Sequence, residues 1–79
     1  MKKLSEMNIG DSVVVRKVEG EGKIRRRLFD MGITPGAPIY LRKKAPLGDP
    51  LEIWIRGYEL TLRKTEAELV LVEYKGEQK

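Results

Sequence analysis

Cysteine and histidine are both absent from this 79-residue chain, and each absence closes off a kind of chemistry. Without cysteine, no disulfide can reinforce a core that a chain of this length makes only just large enough. Without histidine, the usual proton shuttle near neutral pH and the commonest metal ligand are missing. The two gaps together exclude the thiolate and imidazole sites that zinc, copper and iron–sulfur clusters prefer. Only a carboxylate and backbone-oxygen site for a harder cation remains, and no motif points to one, so metal ligands stay unassigned and no cofactor is evident. Serine is scarce too: Ser5 and Ser12 are the only two, and neither has a histidine to activate it. Gly20 and Gly22 lack the spacing and the lysine of a phosphate-binding loop. Catalysis is not expected.

Long apolar runs are also missing; none approaches the ~20 residues of a membrane helix. The opening MKKLSEMNIGD has two lysines but not the continuous apolar stretch of a signal peptide. These features predict a cytoplasmic protein that does not itself insert into the membrane. Lys and Arg outnumber Asp and Glu by 16 to 12, a mild excess that favours an acidic partner. Residues 1–79 read as one domain, with 1–3 and 75–79 expected to fray.

What is present reads as β structure. Ser12–Val18 is rich in β-branched residues and predicts a first strand, preceded by a turn over Met7–Asp11, with Leu4 and Met7 tucked beneath. Lys23–Met31 predicts a short helix with Ile24, Leu28 and Met31 as its apolar stripe. Gly32 suits its left-handed terminating position, Ile33 can pack back on Leu28, and Pro35 prevents continuation. Its start has no side-chain cap, and about nine residues cannot hold a helix alone, so it must dock on the sheet. Pro38–Lys44 alternates Ile39 and Leu41 against Tyr40 and Arg42 and predicts a second strand. Ala45–Pro50 is a proline-stiffened loop.

A hairpin follows, with its two-residue turn placed at Gly57-Tyr58. In that register Arg56 faces Glu59, Ile55 faces Leu60, Trp54 faces Thr61, Ile53 faces Leu62 and Glu52 faces Arg63. One face is then wholly aliphatic. The other carries two opposite-charge pairs, each contributing roughly 0.2–1 kcal/mol. Thr65–Glu68 predicts one helical turn capped by Thr65, and Leu69–Tyr74 the last strand. About five strands, one helix after the first strand and a helical turn before the last suggest a small closed SH3-like β-barrel. A five-stranded oligonucleotide-binding-type barrel is the competing architecture.

Arg25, Arg26 and Arg27 are the strongest candidates for function. They sit near the positive end of the helix dipole, where cations are mildly unfavourable, and only part of the set can be relieved locally, for example Arg26 by Asp30. Adjacent helix positions diverge, so at most two can share a flat interface. A solvated basic face is the plainer alternative. Trp54 lies on the outward hairpin face, as an interface anchor or under a covering loop. Leu47 and Asp49 lie in the proline-bounded loop, where a rigid apolar tip suits docking.

Arg26-Arg27-Leu28, Met31-Gly32-Ile33 with Pro35-Gly36, and Ala45-Pro46-Leu47-Gly48-Asp49-Pro50 form an ordered set with Arg56-Gly57-Tyr58, Leu60, Leu62-Arg63 and Glu66-Ala67. From Leu4 to Val72 the chain resembles the FeoA family, small cytosolic proteins of bacterial ferrous-iron transport. The resemblance implies an SH3-like barrel with a helix after the first strand. It also implies an accessory role, binding the cytosolic GTPase region of the FeoB membrane transporter, with recruitment to the inner face of the membrane by that partner. Weak divalent-metal binding is implied by the resemblance alone. The fold also resembles the C-terminal SH3-like domain of iron-dependent repressors. A homo-oligomer paired through a short edge strand stays open. No nucleic acid is expected, although a small nucleic-acid-binding barrel and a metal-sensing module are the rival readings.

Overall fold

A computed structural model of the chain describes residues 1–75. Six strands, β1 (Lys2–Lys3), β2 (Ser12–Val18), β3 (Pro38–Lys44), β4 (Leu51–Ile55), β5 (Tyr58–Leu62) and β6 (Val70–Tyr74), are accompanied by two helices, α1 (Gly22–Asp30) and α2 (Lys64–Ala67). The sheet is antiparallel at every pairing, in the order β1-β6-β2-β3-β4-β5. The sixth strand is the short β1, whose Lys2 and Lys3 pair with Val72 and Leu71 instead of fraying. Lys75 is held as well, its N–H donating to the Ser12 carbonyl at 2.9 Å. The remainder of the expected frayed tail, 76–79, lies outside the described residues.

Among the described residues β1 and β5 do not pair with each other, so the expected closure is incomplete. The free edge at β5 is blunted by its shortness and by exposed Glu59 and Thr61.

Curvature comes from two bulges. The β2–β6 register shifts between Val15 and Lys17, and the β3–β4 register between Leu41 and Lys43. Each extra residue bends its strand and resets the inside–outside phase. That explains why Val13, Val15 and Val18 all face the core although their spacing does not alternate cleanly.

The hairpin register differs from expectation by two residues. The turn lies at Arg56-Gly57, with φ values of 51° and 86°. Ile55 faces Tyr58, Ile53 faces Leu60, Leu51 faces Leu62, Trp54 faces Glu59 and Glu52 faces Thr61. The expected Arg56–Glu59 and Glu52–Arg63 pairings are not made; Glu59 instead pairs with Arg42. A shift of two preserves face parity. Ile53, Ile55 and Leu62 are accordingly buried, with Leu60 half-buried.

Helix α1 begins and ends one residue earlier than expected, and of its apolar stripe only Leu28 is fully buried. Met31 is half-buried, and Ile24 remains 36% exposed. Helix α2 also begins one residue earlier. Its capping carboxylate is Glu66, whose Oε1 accepts from the Arg63 N–H at 3.0 Å, so Thr65 and Glu68 do not form the expected cap.

Candidate functional site

Helix α1 carries the arginine run, and its position is set at both ends. At the C-terminus, Ile33 N–H donates to Leu28 and Gly32 N–H to Phe29, at 3.0 and 2.9 Å. This is a Schellman closure around Gly32, whose φ of +94° disfavours any side chain. The hairpin tip then reaches across to the exposed carbonyls. Tyr58 donates its hydroxyl to Met31, while Arg56 donates Nε to Gly32 at 3.4 Å and a terminal nitrogen to Thr34 Oγ1 at 3.1 Å. A guanidinium here also complements the negative end of the helix dipole.

Near the N-terminus, Arg25 donates Nε to the Val18 carbonyl at 3.1 Å and lies over the Phe29 ring at 4.6 Å. Arg25 therefore fastens α1 to the end of β2. Arg27 turns the other way and pairs with Glu66 at 2.8 Å, where the carboxylate side chain is 5% exposed. Asp49 meets the same helical turn at its first residue, its Oδ1 accepting from the Lys64 N–H at 3.0 Å. Helix α2 is thus held by both Arg27 and Asp49.

Of the six residues singled out from sequence, Arg25, Arg27 and Asp49 hold the scaffold together. Arg26, Leu47 and Trp54 face solvent. Among the described residues no ion pair engages Arg26, and the expected Arg26–Asp30 pair is not formed. A pair in that orientation is the weaker arrangement on a helix, and both groups stay hydrated.

These three residues do not converge. Arg26 borders a 350 Å³ depression with Gly22, Arg25, Phe29 and Asp30. Leu47 borders a separate 540 Å³ groove with Ile9, Lys44 and Lys64. Trp54 borders a third, of 330 Å³, with Pro38, Tyr40, Arg56 and Lys75. The three concavities share no residue.

The Trp54 groove brings two aromatic rings and two cationic side chains together. Tyr40 and Trp54 are direct cross-strand neighbours on β3 and β4 and are each 43% exposed. Large, stiff aromatic groups beside a guanidinium are the chemistry of protein-interface anchors. Sequence reading identified Trp54 as outward but missed its partners, Tyr40 and Arg56. Tyr40 was visible as an outward position on an alternating strand; its pairing with Trp54 was not, because a loop separates the two strands.

The donor set does not fit a tight transition-metal site. The chain has no histidine or cysteine, and the described residues contain no cluster of three or more potential ligands. Several carboxylates are already engaged, Glu6 by Lys3 N–H, Asp11 by Asn8 N–H and Glu73 by Arg16. Among the described residues no helix is long and apolar enough to cross a membrane.

Comparison with known proteins follows the same outline. The FeoA domain family matches residues 2–74. An FeoA-like protein from Clostridium acetobutylicum is 45% identical, with a TM-score of 0.88, over 99% of this chain and 91% of that one. FeoA of Stenotrophomonas maltophilia, solved as a zinc complex and described as a procaryotic SH3 domain protein, is 31% identical with a TM-score of 0.80, over 92% and 91% of the two chains. The Fe(2+) transport protein A/Fe(2+) transporter FeoB fusion protein of Porphyromonas gingivalis is 39% identical over 71 residues, 90% of this chain. The chain spans only 8% of that curated relative's length. The six-stranded architecture is SH3-like, and the chain belongs to the FeoA domain family.

Proposed function

We propose that this protein is a non-catalytic accessory factor of bacterial ferrous-iron uptake that binds the cytosolic GTPase region of a FeoB-type transporter. The observation that carries this reading is the Porphyromonas gingivalis fusion, in which a homologous domain shares one chain with the transporter. Fusion holds two modules at high effective concentration. Recognition between the two modules still requires a contact surface on the domain itself.

The exposed Tyr40–Trp54 pair beside Arg56 supplies such a surface, and Arg26 contributes an unpaired positive charge that steers an acidic partner. Titration of the transporter's isolated GTPase domain tests the reading. Trp54→Ala is expected to weaken binding at least ~10-fold, as loss of an anchor does. Arg26→Glu is expected to weaken it less, with an effect that shrinks at high salt. No binding by the unmodified protein, or unchanged affinity in the Trp54 variant, overturns the assignment.

The same aromatic pair flanked by Arg56 and Lys75 favours one rival, single-stranded nucleic acid stacked on Tyr40 and Trp54. That reading requires retardation in a gel shift at low salt, lost steeply as salt rises. Weak divalent-cation binding is motivated by the zinc complex of the Stenotrophomonas maltophilia protein. Absence of heat on calorimetric titration with ferrous or manganous ion removes it.

A further inference from the structure

The 540 Å³ groove that contains Leu47 has no part in the surface just described, and its construction is unusual. Two tight turns form its rims. In one, Asp11 N–H donates to the Asn8 carbonyl at 3.0 Å and Gly10 N–H to Leu41 at 2.8 Å, leaving Ile9 at the tip. In the other, Gly48 N–H donates to the Ala45 carbonyl at 2.7 Å and Ala45 N–H to Pro50 at 3.0 Å, leaving Leu47 at the tip. Lys44 Nζ donates to the Met7 carbonyl at 2.8 Å and ties one turn to the other. The exposure of Leu47 (88%) and Ile9 (60%) is thus built in, because the backbone beneath each is hydrogen-bonded in place.

The groove between them is lined by Ser5, Asn8, Lys44 and Lys64; the two carboxylates at its edge, Asp11 and Asp49, are each taken up by a backbone N–H, of Asn8 at 2.8 Å and of Lys64 at 3.0 Å. Its aliphatic tips offer a protein partner no aromatic anchor of the kind the Trp54 groove carries. A lipid headgroup layer needs none. Its phosphates accept from lysines at the same depth at which protruding aliphatic side chains enter the acyl boundary.

We infer that Ile9 and Leu47, with Lys44 and Lys64 between them, form a peripheral contact site for an anionic lipid surface. The site seats two side chains shallowly and spans nothing. Its affinity is therefore weak and reversible, and it orients a protein already near a bilayer.

The chain's lack of cysteine allows a clean test. Leu47→Cys, Ile9→Cys and, as a reference on a different face, Trp54→Cys would each carry one environment-sensitive fluorophore. Each would be titrated with phosphatidylglycerol/phosphatidylcholine vesicles and with phosphatidylcholine vesicles alone. Labels at 47 and 9, and not at 54, are expected to shift to the blue at ~1 mM anionic lipid, with little response to neutral vesicles. In parallel co-sedimentation of unlabelled protein, the Leu47→Ser/Ile9→Ser double variant should lose about tenfold or more in partitioning, and Lys64→Gln severalfold. Circular dichroism checks that both variants remain folded.

Absence of vesicle binding by the unmodified protein overturns the inference. Equal binding by the double serine variant overturns it too, since the attraction is then purely electrostatic. If vesicles are ignored while Leu47→Ser weakens titration of the GTPase domain, the groove is a protein socket and the lipid assignment fails. The vesicles contain no transporter, so failure here leaves the transporter reading standing, and the reverse also holds.

Discussion

The hydroxyl of Tyr58, at the start of β5, donates to the main-chain carbonyl of Met31 at the end of α1. A helix of nine residues with one fully buried side chain cannot stand by itself in water. Its position depends on tethers such as this one. Tyr58→Phe removes the hydroxyl and little else. Because Tyr58 is 42% exposed, water can replace the lost donor, and the expected cost is about 0.5–1 kcal/mol by urea unfolding. Amide exchange at Gly32 and Ile33 should accelerate more than exchange in β2 or β6; uniform acceleration would contradict a local tether.

Gly32 stands against the same hydroxyl. A Cβ added there would lie 3.1 Å from the Tyr58 oxygen, at a φ of +94°. Gly32→Ala should therefore cost more than the ~1–2 kcal/mol of left-handed strain alone. Removing the oxygen relieves the steric part. The double variant Gly32→Ala/Tyr58→Phe is expected to be more stable than the sum of the single effects, and strict additivity in urea melts would refute the contact.

Two ion pairs of similar length offer a contrast in burial. Arg16–Glu73 is half-exposed on both sides, whereas Arg27–Glu66 joins a 64% exposed guanidinium to a carboxylate side chain that is 5% exposed. Arg16→Ala should change stability by less than ~0.5 kcal/mol, as surface pairs usually do. Among the described residues, Arg27→Ala leaves Glu66 with only the Arg63 N–H and should cost about 1–2 kcal/mol, between the surface and buried limits. Equal effects of the two substitutions would show that Glu66 finds solvent. Reading Arg27 as a clamp also means that charge reversal there, unlike at Arg26, confounds any binding measurement.

Strand positions were legible where the physics is local. Ser12–Val18 and Pro38–Lys44 form strands over the limits their β-branched and alternating patterns predict. The end of α1 followed from Gly32, because the left-handed cap there favours glycine over any other residue. The divergence of Arg25, Arg26 and Arg27 followed from helical period. Their partners did not, since the Val18 carbonyl and Glu66 are brought in by tertiary packing. Asp49 likewise looked available and is engaged by the Lys64 N–H.

The hairpin shows where local rules were overruled. Glycine at the first turn position is a sound local choice, yet the chain places Arg56 there, at a φ of 51°, and glycine second. Arg56 and Tyr58 in this register reach Gly32, Thr34 and Met31, contacts that no neighbouring sequence reveals. Arg56→Asn separates the two effects. Asn-Gly is the preferred pair for this turn type, so relief of turn strain should offset much of the lost hydrogen bonding. Net stability is expected to change by less than about 0.5 kcal/mol, while amides of Ile33 and Thr34 exchange faster. Arg56→Ala loses the same contacts without the turn preference and should cost about 1–2 kcal/mol. Equal losses in the two variants would mean that Arg56 holds the hairpin through α1 alone and that its left-handed backbone carries no strain.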